Sequence, residues 1–171
     1  MPPEYHTSPN NRYERDDYIR VEYANSLSFP HDLTAAAWIK TTSPAAGIAH
    51  QHDGGADGNF VFGLSQGGRF RFGRSATVIS AQYDSQFVND DQWHFVVGVY
   101  DDNHDVVKHY VDGMLVSSYP EINSLPDYHI PLIIGDENNH LYAFDGVIDE
   151  VRLYNQALSD AEIRALWRAD Q

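Results

Sequence analysis

The sequence predicts an all-β domain: two antiparallel sheets packed as a jelly-roll sandwich, closed by one short C-terminal helix. Three observations predict it. Apolar residues recur with a period of two along most of the chain. Glycine, proline and asparagine punctuate about ten such segments, a count that suits two stacked sheets. The one stretch with a helical period lies at the end of the chain.

The elements follow in order. Residues 1–15 are polar, with Pro2, Pro3 and Pro9, and read as a flexible lead-in; residues 16–171 form a single domain. Strands are expected at Tyr18 to Tyr23, Leu33 to Thr41 and Gly47 to Gln51. In Asn59 to Ser65, Phe60, Phe62 and Leu64 share one parity; Gln66-Gly67-Gly68 turns the chain, and Arg69 to Gly73 sets Phe70 and Phe72 opposite Arg69 and Arg71. Val78 to Tyr83 and Trp93 to Asp101 are expected to follow. Asp112-Gly113 then joins Val106 to Val111 with Met114 to Ser118, because a type I′ turn needs positive φ at both central residues. Pro131 to Gly135 and Tyr142 to Tyr154 complete the strands. Ser159 and Glu162 form a capping box ahead of Ile163, Leu166 and Trp167, which share one helical face.

The chain has 171 residues, 42% of them hydrophobic, enough for one sizeable core and too few for two ordinary domains. Twenty-five acids against eleven bases give a net charge of −14, which repels a phosphate backbone and an anionic membrane surface, so nucleic acid is not an expected partner. No apolar run approaches the roughly 20 residues that span a bilayer, so membrane insertion is not expected either. The absence of cysteine excludes disulfides, thiolate metal sites and cysteine nucleophiles.

Several segments resemble a known family. Leu33-Thr34-Ala35-Ala36-Ala37-Trp38-Ile39-Lys40-Thr41, Trp93-His94-Phe95-Val96-Val97-Gly98-Val99-Tyr100-Asp101 and Tyr110-Val111-Asp112-Gly113 resemble successive strands of LamG-like jelly-roll domains. Phe144-Asp145-Gly146-Val147-Ile148-Asp149-Glu150-Val151-Arg152-Leu153-Tyr154-Asn155, followed by Ala157-Leu158-Ser159, is similar to that family's closing strand and helix entry. The resemblance, within the concanavalin A-like lectin and glucanase group, implies the fold strongly. It implies function only broadly, since the fold hosts lectin-like modules, adhesion modules and hydrolases.

Asp149 is the most informative single residue. Within its predicted strand it shares parity with Val147, Val151 and Leu153, which turns a carboxylate toward an apolar face and demands compensation. The resemblance implies a structural calcium there, with Asp16 and Asp17 as the matching candidates from the start of the domain. Calcium takes 6 to 8 oxygens, and backbone carbonyls would supply the rest. The alternative is an ion pair or hydrogen bonds to the backbone.

Other groups suggest ligand contacts. His50 and His52 sit two apart on one strand face, too few for zinc but suited to a sugar or an anionic ligand, and Asp57 and Asn59 follow in a polar, glycine-rich loop. Arg71 with Arg69 and Arg74 offers guanidinium forks for an acidic sugar, or ion pairs with nearby acids. Asp136 and Asn138 belong to an oxygen-rich loop that is either ligand-binding or simply solvated. Tyr83, Tyr119, Tyr128 and Tyr142 stand near strand ends where a ring can stack on a sugar, whereas Trp38, Trp93 and Trp167 are expected to pack.

Catalytic residues are not identified. A glycosidase needs two carboxylates flanking the scissile bond, and no E-x-D-x-E run occurs on any predicted strand. The expected function is a non-catalytic, lectin-like carbohydrate-binding module with a structural calcium, acting on glycans that include acidic ones. Weak single-site affinity implies attachment to other domains, in an extracellular or cell-surface enzyme or adhesin. A protein-interaction, adhesion or spacer module is the alternative, and a glycoside hydrolase or polysaccharide lyase ranks behind both.

Overall fold

The computed structural model describes residues 18–52, 58–73, 84–121, 127–136 and 142–169. Eleven strands, one α-helix and a short 3-10 turn at Asn25–Leu27 occupy them: β1 Ile19–Val21, β2 Leu33–Thr41, β3 Ala46–His52, β4 Gly58–Ser65, β5 Arg69–Gly73, β6 Asp84–Phe87, β7 His94–Asp101, β8 Val106–Val111, β9 Met114–Pro120, β10 Leu132–Ile134, β11 Gly146–Tyr154 and α1 Asp160–Ala169. A six-stranded sheet runs β1-β10-β3-β4-β5-β6 and a five-stranded sheet runs β11-β2-β7-β8-β9. The expected two-sheet antiparallel sandwich with a C-terminal helix is the observed architecture.

Between the sheets, large residues of one layer meet small residues of the other. Phe60, Phe62, Leu64, Phe70 and Phe72 project from β4 and β5 against Leu33, Ala35, Ala37 and Ile39 of β2 and Val96 of β7. The alanines of β2 leave room for the phenylalanine rings, and at Gly98 even a methyl group would not fit: a Cβ there would stand 2.0 Å from Phe72 Cγ. The outer face of the five-stranded sheet has its own core, where Leu158 and Ile163, with Leu166 and Trp167, cover Ala36, Phe95, Val97, Val99 and Tyr110. This second layer explains why β7 is apolar on both parities.

The helix begins as the capping box dictates. The Ser159 amide donates to Glu162 Oε2 at 2.8 Å, and the Glu162 amide donates to Ser159 Oγ at 3.4 Å. The β8–β9 turn has φ of 51° at Asp112 and 73° at Gly113, as a type I′ turn requires. One strand assignment changes, and another is not tested. The last strand starts at Gly146 rather than Tyr142, and Val78 to Tyr83 lies outside the described residues, while β6 forms at Asp84–Phe87.

The closing strand also departs from simple alternation. Its pairing with β2 shifts between Asp149 and Arg152, and Glu150 adopts φ of 52°. This bulge resets the parity, so Ile148, Val151 and Leu153 all pack inward while Asp149 is exposed on the outer face. The expectation that Asp149 faces the core is therefore corrected. Its Oδ1 accepts the Glu150 amide at 2.8 Å, which satisfies the backbone at the bulge.

Candidate functional site

The outer face of the six-stranded sheet is polar where the inner face is aromatic. His50 and His52 share it, as their spacing predicts, with ring centroids 4.3 Å apart. Both are buried, 4% and 8% exposed. The His52 amide donates to His50 Nδ1 at 3.3 Å, which assigns the His50 proton to Nε2. Across the sheet, His50 is level with Ile133 of β10 and Val61 of β4, and Arg71 is level with Gly63. Gly63 keeps this surface low, because a Cβ there would meet the Ala46 carbonyl oxygen at 2.5 Å.

Arg71 is half-buried on this face, while Arg69 is exposed and otherwise engaged. Its guanidinium lies 4.0 Å over the Phe87 ring and donates to the Ser85 carbonyl at 2.9 Å. Asp136 is buried and Tyr142 half-buried, both near the first half of β3: the Gly135 amide bonds to Ile48 and the Gly47 amide to the Tyr142 carbonyl. They flank the other half of the strand from the histidine pair. Asp57, Asn138, Arg74, Tyr83, Asp16 and Asp17 lie outside the described residues.

At the His52 end of β3 the sequence reading of Asn59 is corrected. Asn59 is buried; its Nδ2 donates to Gln51 Oε1 at 3.3 Å and its Oδ1 accepts the Tyr128 amide at 3.0 Å. With both ends of the amide engaged, Asn59 supports a site rather than contacting a ligand. Gln51 in turn donates to the carbonyls of Leu27 and Ile130, at 3.1 and 3.2 Å. Ser28 Oγ donates to Asp127 Oδ2 at 2.7 Å, with the Tyr23 hydroxyl at 3.4 Å from the same oxygen. His129 stacks on Tyr23 with centroids 4.4 Å apart.

Residues 127–130 are thus tied from three directions, and the Tyr128 ring stands out of them, 48% exposed. The hydroxyl of Ser28 and the amide of His129 hold the Asp127 carboxyl below the usual carboxylate range, so it is an acceptor at neutral pH. A ring face, an ionised carboxylate and a stacked Tyr–His pair on a fixed segment suit hydroxyl-rich ligands better than a reaction. Tyr128 was legible as a candidate from its place in a loop. Tyr23, Asp127 and His129 were not, because Tyr23 meets the other two only across about a hundred residues of chain.

Among the described residues no group of three or more histidines and acids is placed to hold a metal ion. Asp149 by itself, exposed and bonded to its neighbour's amide, does not make the oxygen cage of a calcium site.

Residues 13–164 match the concanavalin A-like lectin/glucanases superfamily, and the chain belongs to it. No curated protein matches the sequence. The fold is similar to the binding domain of Paraclostridial Mosquitocidal Protein 1, at 16% identity and a TM-score of 0.65 over 91% of this chain and 42% of that one. A putative carbohydrate binding protein from Bacteroides ovatus superposes with a TM-score of 0.67 at 16% identity, over 86% of this chain and 43% of that one. Domain 4 of a GH43 extracellular arabinanase from Geobacillus stearothermophilus, in complex with arabinotriose, gives 0.61 at 19% identity, over 87% and 71%. The chain spans about two fifths of the first two, at 42% and 43% of their lengths, and at these identities the likeness is one of fold.

Proposed function

We propose that the chain is a non-catalytic carbohydrate-binding module whose contact surface is the His52 end of the six-stranded sheet. The observation that carries this reading is the pinned segment 127–130, which offers the exposed Tyr128 ring beside the ionised Asp127. A ring held in place before binding loses little conformational freedom when a sugar stacks on it. Half-buried Arg71 lies further along the same face and suits a glycan bearing carboxylate or sulfate, with His50 and His52 buried behind the contact surface. The names of two fold neighbours, a carbohydrate binding protein and a domain in complex with arabinotriose, support the same reading.

The wider proposal is an extracellular module attached to other domains, with calcium held by Asp149, Asp16 and Asp17. Exposed Met114 and Leu115 on the uncharged edge strand β9 favour a second reading, a protein contact. A glycan array decides between them, followed by calorimetric titration of each hit. Tyr128→Ala is expected to weaken binding about tenfold, the equivalent of about 1.4 kcal/mol. A blank array, or hits indifferent to Tyr128→Ala and His52→Ala, overturns the reading.

A further inference from the structure

We propose that the outer face of the five-stranded sheet carries a second carbohydrate contact, a platform built on Trp93 that takes the apolar ring face of a neutral sugar. The inference rests on the carbohydrate-binding reading but uses residues on the opposite side of the sandwich from His50 and His52.

The alternation of β7 places Trp93 on the parity of Phe95, Val97 and Val99, all buried under α1, and on that pattern it should be packed. It is instead 45% exposed. The helix covers Phe95, with Trp167 in its last turn against Gly113, and Trp93, two residues before Phe95, stands outside that cover. Register places its neighbours. Pairing of β7 with β2 begins at His94 opposite Ile39, and Trp93 precedes it by one residue; Lys40, the next residue of β2, pairs on its other side with Val147. Lys40 and Val147 are a cross-strand pair on the outer face beside the segment that carries Trp93, with Val147 50% exposed. The next row is Phe95, Trp38 and the exposed Asp149.

The segment presenting Trp93 is fixed. Asp90 Oδ1 accepts the Gln92 amide at 3.0 Å and sits 3.1 Å from His94 Nε2, while His94 Nδ1 is 2.9 Å from Asp112 Oδ2. The Asp91 amide donates to the Thr41 carbonyl at 3.1 Å. An exposed indole on such a support is pre-organised for stacking. Beside it stand Lys40 and Asp91, with Lys40 Nζ 3.9 Å from Asp91 Oδ1, which offer one ammonium and one carboxylate to hydroxyl groups.

The chemistry favours a neutral sugar over the other occupants. One indole and one valine ringed by charges fall far short of the roughly 800 Å² per partner of a stable protein interface with its apolar centre. The one ammonium is already paired with Asp91, so on a chain of net charge −14 an anionic ligand finds no net attraction here. A neutral sugar stacks its C–H face on the indole and turns its hydroxyls to Asp91 and Lys40. Because the two contacts lie on opposite sides of the sandwich, a short oligosaccharide reaches one of them and a polysaccharide links two chains.

The test uses the full chain with arabinotriose and soluble arabinan, and an array of neutral oligosaccharides beside them. Wild type is expected to take up two oligosaccharides per chain by calorimetry and to raise the light scattering of the polysaccharide by cross-linking. Sugar should also shield Trp93 from acrylamide quenching. Trp93→Ser should leave one equivalent and abolish cross-linking, while Trp93→Phe, which keeps a ring, restores it; circular dichroism checks that both fold. Tyr128→Ala should keep the fluorescence response within about twofold of the wild-type affinity, since sites this far apart act independently. One equivalent in wild type, lost wholly in Tyr128→Ala and indifferent to Trp93→Ser, overturns the second contact and leaves the first reading standing. A chain that binds no oligosaccharide overturns both.

Discussion

His109, on β8 of the five-stranded sheet, donates through Nε2 to the Phe72 carbonyl of the six-stranded sheet, 2.8 Å away. The Ser117 hydroxyl donates to the other nitrogen, Nδ1, at 3.0 Å. One neutral imidazole therefore joins the two layers where Phe70 packs against its ring, with centroids 5.3 Å apart. Burial lowers the His109 pKa from 6.5 to about 4, outweighing the opposing effect of the Phe72 bond.

The pH dependence follows from that depression. Above pH 6.5 His109 is neutral in both states and takes nothing from stability; between 6.5 and about 4 the unfolded chain binds a proton that the folded chain refuses. Stability should fall as pH drops through that window, by on the order of 3 kcal/mol when fully developed. Urea midpoints at pH 7 and 4.5 measure it. In His109→Gln the difference between the two pH values should shrink, and an undiminished difference would assign the acid loss to other groups.

His94 works in the opposite direction. Its ring lies between Asp112 and Asp90, and the Asp112 bond raises its pKa, with burial opposing. A raised folded pKa means stability that is present below pH 6.5 and lost as pH rises through the folded value. His94→Gln should therefore be most destabilised relative to wild type near pH 6 and least near pH 9. A destabilisation that is flat with pH would make His94 a packing residue and nothing more. Because the two histidines oppose each other, their combined contribution is greatest near pH 6.5.

Gly98 tests how closely the sheets approach. A Cβ at this position would fall 2.0 Å from Cγ and 2.5 Å from Cβ of Phe72, the near part of a buried ring that has no open side to move into. Gly98→Ala is expected to cost about 3 kcal/mol, the upper end of overpacking. The double variant Gly98→Ala with Phe72→Leu should recover part of that loss, which denaturant unfolding reads directly. If the single variant melts with wild type, the tight contact is not what sets the sheet spacing.

The sequence carried most of the fold because its signals are local. Period two in β4 and β5, Asp112-Gly113 in the β8–β9 turn and Ser159 with Glu162 at the helix start each operate within a few residues, and each formed where the pattern places it. Alternation misled where the strand was not regular or its face was not covered. A bulge beside Asp149 inverted the parity of the strand that had been read through it, and α1 stopped short of Trp93 and left it uncovered. The site was half legible. His50 and His52 follow from strand spacing, whereas Asp127 and His129 acquire their roles only when Tyr23, Ser28, Gln51 and Asn59 arrive from elsewhere in the chain.

Calcium at Asp149 is the last expectation to put to measurement, and the bulge sharpens the experiment. The carboxylate already serves the Glu150 amide through Oδ1, so Asp149→Ala removes a backbone acceptor whether or not a cation is bound, at a cost of about 1 kcal/mol. The informative quantity is thus the difference between melts with and without calcium, in wild type and in each variant. A ligand that binds only the native state stabilises it by mass action: if Asp149, Asp16 and Asp17 hold the ion, saturating calcium raises the wild-type melting temperature by several degrees, on the order of 2 to 3 kcal/mol. Asp17→Asn, which leaves the bulge untouched, should abolish that rise along with Asp149→Ala. A wild-type melt indifferent to calcium, with Asp149→Ala shifted equally in both conditions, would remove the ion and leave Asp149 as the residue that caps the bulge.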